Sequence, residues 1–340
     1  MDTICLSVQA LLTINFLDFC GEFDPKYQTM SQEIYEKCEE LVKLRKRPLL
    51  LLLLQTIQRV DVISTCDALS GSVFNEMDVV LQTPGGDPDA AYLLTKVLRK
   101  HGTRVFFLIP VYAKSAGTLM CLGADELIVT EVTELGPLDS QIREEQEGSS
   151  SKFSSALNGF KALEQIQLHT LQTLEIAARM IRRHNMKLRD VFELATRFAG
   201  ETSGTLYAQL DPKKIGEYAR ALDVGEKYGI IILTRFMNWP KDKATQVVRR
   251  LVKDYPSHDF VIDHEEMTDI GLPAKLADSQ TAKVMNEIRD LTFQLGEDES
   301  DHIKLFKPVT PVTPVINPPI HASIAPPSAT GTTPTATPTP

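Results

Sequence analysis

The chain runs to 340 residues, of which 43% are hydrophobic and 24% charged, with a formal net charge of −9. That mixture can bury a sizeable core, and it excludes a fully disordered chain, a collagen-like repeat and a small disulfide scaffold. The acidic balance argues against a dedicated nucleic-acid binder, because neutralising phosphates asks for a basic face; Arg45-Lys46-Arg47 and Arg182-Arg183 read as solvated surface.

In chain order, residues 1–24 form a segment without assignment. Leu6–Phe19 is apolar but interrupted by Gln9, Thr13, Asn15 and Asp18, too short and too polar for a span of about 20 apolar residues. No basic residue precedes Lys26, as a secretory signal would require. Ser31–Lys46 predicts a helix, Leu49–Ile57 a buried strand opening with six leucines, and Asp61–Ser70 a short helix. The strand Asp78–Gln82 ends at Thr83-Pro84-Gly85-Gly86, and a helix follows over Asp89–Lys100. Arg104–Val111 is a second buried strand, Ser115–Leu122 a helix of small residues and Glu126–Thr130 a strand. Strand and helix alternating at this spacing imply a parallel sheet covered on both faces.

After Gly148 the pattern becomes helical, over Ser154–Arg183, Lys187–Phe198, Asp211–Phe236 and Lys241–Lys253. A strand at Asp259–Ile262 and a short helix at His264–Ile270 follow, the latter stopped by Gly271 and Pro273. Ile215, Tyr218, Leu222, Gly225, Gly229 and Ile232 recur at helical period, an apolar stripe for self-association or for the chain's own core. Ten of the twenty prolines fall in Phe306–Pro340, where Lys307 is the only charged residue. Residues 25–298 are therefore expected to be the folded domain and 299–340 a disordered tail.

The five cysteines, Cys5, Cys20, Cys38, Cys66 and Cys121, form no CxxC pair and read as reduced thiols of a cytoplasmic protein. Seven scattered histidines form neither HExxH nor HxH, so no metal site is expected. The expected location is cytoplasmic, with peripheral contact of Leu6–Phe19 with a membrane left open.

Two segments carry chemistry, each at the carboxyl end of a predicted parallel strand, where open α/β sheets place their sites. Gly85-Gly86 offers backbone N–H groups unobstructed by side chains at a helix entry, suited to a developing oxyanion. Ser115, flanked by Ala116 and Gly117, has the surroundings of a nucleophile on a tight strand-to-helix turn. The plainer readings are a helix N-cap for Ser115 and an ordinary turn for the diglycine. Asp87 and Asp89 read as helix-entry carboxylates.

Val79-Val80-Leu81-Gln82-Thr83-Pro84-Gly85-Gly86, Lys114-Ser115-Ala116-Gly117-Thr118 and Leu135-Gly136-Pro137-Leu138-Asp139-Ser140-Gln141 together resemble the ClpP/crotonase superfamily. Within it the chain looks most like the serine dehydrogenase proteinase family, a relative of signal peptide peptidase A and the stomatin-operon proteases. The likeness continues through Leu206–Pro212, Gly216–Leu222 and Glu265–Leu272, and covers roughly residues 45–280. It implies an α/β, ClpP/crotonase-like parallel sheet with flanking helices and a helical C-terminal half. It also implies a serine peptidase acting through an acyl-enzyme on Ser115, with the N–H groups of Gly85, Gly86 and Ala116 as oxyanion donors.

No histidine lies about 25 residues past Ser115, where a ClpP-like triad would want one; Asp139 is near that position, as an accessory group or a cap, and His169 comes next. Signal-peptide-peptidase-like relatives use a Ser-Lys dyad, in which burial keeps the amine neutral. Lys152 and Lys161 match that placement, Lys152 the better, and Lys114 points away from the nucleophile's face. No cofactor is expected: the family name refers to a protein substrate, and no GxGxxG fingerprint is present. The expected partners are a protein or peptide substrate and further copies of the chain, without nucleic acid. The competing readings are a catalytically silent ClpP-like scaffold that binds peptides or proteins, and an acyl-CoA enzyme sharing the same oxyanion geometry.

Overall fold

The computed structural model describes residues 25–138, 141–144, 152–183, 186–295 and 301–308, with backbone alone at 25–29, 141–144 and 152–158. Strand β1 (Leu49–Leu53), second from one edge of the six-stranded sheet, is five leucines that are all buried. Successive side chains leave a strand on opposite faces. Leu50 and Leu52 therefore enter one core layer, and Leu49, Leu51 and Leu53 the other. Such a strand is stable only between two apolar layers, which helices on both faces of a parallel sheet supply.

Next to β1, in parallel register, come β2 (Phe74–Gln82), β3 (Gly102–Ile109), β5 (Glu126–Val129) and β9 (Ala274–Leu276). Short strands β4 (Tyr112–Ala113) and β6 (Glu134–Leu135) pair beside the sheet, and β7 (Gln141–Glu144) pairs antiparallel with β8 (Lys152–Ser155). On one face pack α2 (Arg59–Leu69), α3 (Pro88–His101), α4 (Ala116–Cys121), α7 (Pro212–Ile231) and α8 (Lys241–Lys253). The other face is covered by α1 (Pro25–Arg45) and α10 (Ser279–Leu295). Helices α5 (Ala156–Arg182) and α6 (Leu188–Tyr207) pack on each other, and α5 also leans on α7, where a Cβ on Gly159 would lie 2.3 Å from the Tyr218 ring.

Four expectations change. The leucine strand ends at Leu53, and Ile57 rejoins the sheet end only through a parallel bridge to Gly86. Asp259–Ile262 forms no strand: Phe260 and Val261 are exposed, and Ile262 alone bridges to Leu135. The stripe on Asp211–Phe236 is internal, since Tyr218, Leu222 and Ile232 are buried and a Cβ on Gly229 would sit 2.9 Å from Val248. That helix passes into a π-helical turn over Ile232–Phe236 before α8.

The fourth change concerns the boundary at residue 299. His302–Phe306 forms β10, antiparallel to β1 with Leu49 opposite Phe306, and so covers the edge that β1 would otherwise expose. The pattern at 302–306 is legible only with β1 beside it: Phe306 is buried, Tyr35 Oη lies 3.1 Å from His302 Nδ1, and Lys307 Nζ donates to Ser72 Oγ at 3.0 Å. Residues 309–340, most of the expected tail, and 1–24 lie outside the described residues.

Phe306→Ala should lower the free energy of unfolding in urea by about 3 kcal/mol, whereas ending the chain after Pro308 should leave it unchanged. An Ala variant as stable as the parent would remove β10 from the core.

Candidate active site

At the carboxyl end of β2 the chain must turn into α3, and two glycines make that turn. Gly85 has φ +123° and Gly86 φ +146°, conformations that L side chains rarely adopt. Space forbids a side chain as firmly as φ does. A Cβ on Gly86 would lie 2.4 Å from Ile57 N and 2.5 Å from Ile57 O, and one on Gly85 would lie 2.9 Å from Ser115 Cβ. The approach is this close because Ile57 N–H donates to Gly85 O (2.7 Å) and Asp87 N–H donates to Ile57 O (2.9 Å). That bridge leaves the Gly86 N–H out of its pairing. Asp87 then caps α3, accepting from Asp89 N at 2.8 Å, and Pro88 occupies the first turn. The carboxylates after the diglycine are thus helix-entry groups, as expected.

The second segment is tied to the first by backbone. Thr83 N donates to Tyr112 O and Lys114 N to Thr83 O, at 3.2 and 3.0 Å, so the ends of β2 and β4 are held side by side. Ser115 follows with φ +51° and ψ −115°, a strained conformation for a residue with a Cβ. Its side chain does not cap α4, and among the described residues its Oγ has no hydrogen-bond partner. The N-cap reading of Ser115 is therefore set aside: the strain is retained without the capping bond that would explain it. Behind the turn, buried Thr118 places Oγ1 2.8 Å from the carbonyls of Ala113 and Gly136 and accepts from Gly136 N. Lys114 points away from the nucleophile's face, as expected, and pairs with Glu134 at 3.1 Å.

Ser115, Gly85, Gly86 and Ala116 line one cavity of about 750 Å³. Its apolar wall includes Ile57 from the β1–α2 connection, Leu119 and Leu138, and Ala221, Val224 and Gly225 from α7. The apolar stripe on α7 thus serves the cavity as well as the core.

The other sequence candidates fall elsewhere. Lys152 lies on β8 opposite Glu144, and its side chain is outside the described residues, as is Asp139 altogether. Lys161 does not line the cavity; its amine donates to the Tyr255 carbonyl at 3.3 Å. His169 is exposed on α5, also away from the wall. In their place the structure brings in a residue that spacing did not reveal, His258 from the loop after α8. No local signal marks it, because its proximity to Ser115 arises only when that loop folds back over the strand ends. Among the described residues no group of acidic, histidine and cysteine side chains could hold a metal.

Residues 72–204 match the model of the ClpP-like SDH-type serine proteinase family. Two uncharacterised proteins of Methanocaldococcus jannaschii are 41% and 38% identical to the chain over 66 residues, 19% of this chain and 23% of each of them. The matched stretch thus spans under a quarter of those relatives. Among solved structures, a mutant of the 1510-N membrane-bound stomatin-specific protease aligns over 72% of this chain and 82% of its own, at 13% identity and a TM-score of 0.37. A mutant of ClpP1 from Listeria monocytogenes aligns over 72% and 98%, at 10% identity and a TM-score of 0.36.

Gly86→Ala should destabilise the protein by about 2 kcal/mol or more, since positive-φ strain and a backbone clash act together. Thermal unfolding that matches the parent would show that the Ile57 bridge does not hold this turn.

Proposed function

We propose that the chain, whose residues 72–204 match the model of the ClpP-like SDH-type serine proteinase family, is a serine peptidase that cleaves peptide bonds through an acyl-enzyme on Ser115. The observation that carries this reading is the strained, uncapped Ser115 facing a cavity beside a diglycine whose Cβ positions are forbidden. Ser115 Oγ attacks the substrate carbonyl, and the developing oxyanion takes hydrogen bonds from the N–H groups of Gly86 and Ala116, with Gly85 shaping the approach. Such preorganised donors stabilise a tetrahedral intermediate by about 3 kcal/mol each. Collapse expels the amine, and water releases the acyl group. Of the two lysines that a Ser-Lys dyad would draw on, Lys152 and Lys161, the Lys161 amine is engaged by the Tyr255 carbonyl. The chemistry asks for no cofactor, and the substrate is an extended peptide or an unfolded protein segment.

A fluorophosphonate probe should label the protein at Ser115, and Ser115→Ala should abolish both labelling and peptide cleavage with no loss of melting temperature. A parent protein that takes no label would favour the silent peptide-binding scaffold in the same cavity.

The family resemblance also implies self-association, and the structure supplies a surface for it in a place other than the α7 stripe. Leu171, Ile176 and Met180 on α5 and Leu188, Phe192 and Phe198 on α6 are each between 51% and 64% exposed. Leu171, Leu188 and Phe192 line one groove between the two helices, and exposed apolar surface of this kind marks an interface. The ion pairs Glu175–Arg179 and Arg197–Glu201 neutralise charge beside it, so two copies can meet without net repulsion. No helix among the described residues is long and apolar enough to cross a membrane. Light scattering should report a multimer that falls in mass when Leu171 and Phe198 are both replaced by Lys; an unchanged mass would move the interface elsewhere.

A further inference from the structure

Five ionisable or hydroxyl-bearing side chains line the cavity among the described residues: Thr56, Asp87, Asp89, Ser115 and His258. The two aspartates have other duties. Asp87 caps α3, Asp89 accepts from Tyr228 Oη at 2.7 Å, and Arg59 lies 3.8 and 3.7 Å from the two carboxylates. A carboxylate so engaged is a poor acceptor for a serine proton. Imidazole, by contrast, is the side chain whose ordinary pKa lies closest to neutrality, which suits it to take and return a proton.

The position of His258 is fixed by packing on both sides of its loop. Upstream, Tyr255 is buried, donates its Oη to Glu266 Oε1 at 2.6 Å and stacks on Phe260 at 4.9 Å between centroids. Arg250 holds the same Glu266 oxygen at 2.7 Å. Across His258 itself, Phe260 N–H closes on Ser257 O at 3.2 Å. Downstream, Ile262 and Leu135 exchange both backbone bonds, at 2.9 and 3.0 Å, and upstream Leu138 N donates to Leu251 O at 2.8 Å. Both flanks of the loop are thereby bonded to residues 135–138, whose last member, Leu138, is itself cavity wall.

We propose that His258, supplied by the loop after α8 and outside the segment matched by the family, is the catalytic proton carrier for Ser115. The inference rests on Ser115 being the nucleophile. In the first step the Ser115 O–H bond breaks, its proton passes to an imidazole nitrogen, and Oγ bonds to the carbonyl carbon as the π pair moves onto oxygen. The imidazolium then gives that proton to the leaving nitrogen as the C–N bond breaks, which leaves acyl-serine, a free amine and neutral imidazole. Water repeats the cycle and regenerates the serine.

The test uses the full chain, the fluorophosphonate probe and a cleavable peptide, with Ser115→Ala as the control. His258→Gln and His258→Ala should each slow labelling of Ser115 and peptide turnover by ~100-fold or more, in kcat rather than KM. Added imidazole should restore labelling in His258→Ala, a rescue that a purely structural loss would not permit. Labelling of His258→Gln within threefold of the parent overturns the proposal, as does loss of activity in His258→Ala that imidazole leaves unrestored. Abolition of labelling in Lys152→Met alongside normal labelling in His258→Gln also overturns it and returns the dyad. A parent protein that takes no label at Ser115 overturns the nucleophile and this inference together, and so separates the two failures.

Discussion

The backbone bridge between Ile57 and Gly86 is the constraint on which the rest of the site depends. It brings a peptide unit to within a Cβ radius of the diglycine, which only glycine tolerates, and it fixes the plane of the turn that leads into α3. Once that turn is set, the Gly86 N–H is excluded from the bridge and the Gly85 α-carbon lies against Ser115. A side chain at either glycine would break the bridge or push Ser115 aside. The loop from the end of β1 and the turn at the end of β2 are thus one mechanical unit, although they lie nearly thirty residues apart in the chain.

That unit rests on a sheet whose strands have apolar side chains on both faces. Alternate residues of β1, β2 and β3 feed opposite layers, so the strand ends cannot slide without exposing one layer or the other. The parallel arrangement then gathers the carboxyl ends of β2 and β4 along one rim, where Thr83 and Thr118 lock them together through buried hydrogen bonds. β10 closes the opposite edge and leaves the rim as the open side of this layer. The strain at Ser115 is tolerated because the packing around it is over-determined: α4 is buried along its whole length.

The helical half of the chain performs two separable tasks. Helices α7 and α8 turn their apolar faces inward to seal the core, and α7 also walls the cavity, while α5 and α6 carry large apolar side chains outward. Amphipathic period alone cannot distinguish these destinations, because a stripe that meets its own sheet and one that meets another chain look the same in sequence. Glycine decides it here. Gly225 and Gly229 lie where a Cβ would meet Leu138 O or Val248, so the stripe on α7 is a close-packed internal face.

Hydrophobic period and turn chemistry determined a good part of the molecule. Six leucines after a proline, the alternation of strand and helix to Val129, and the pairing of a diglycine with a serine at successive strand ends all follow from local rules, and they specify a parallel sheet with Ser115 beside Gly85 and Gly86. What local rules could not supply were contacts between distant residues. β9 and β10 are too short to be recognised without the strands they pair with, and Asp259–Ile262 has strand composition but pairs only at Ile262, with Leu135. Lys161 is engaged by a carbonyl ninety-four residues away. His258 reaches the cavity only because Tyr255, Glu266 and Leu135 fold its loop over the strand ends. Sequence fixes which groups can do chemistry, through residue type and turn geometry; which of them meet is a property of tertiary packing, because loop closure over a hundred residues leaves no periodic trace in the chain.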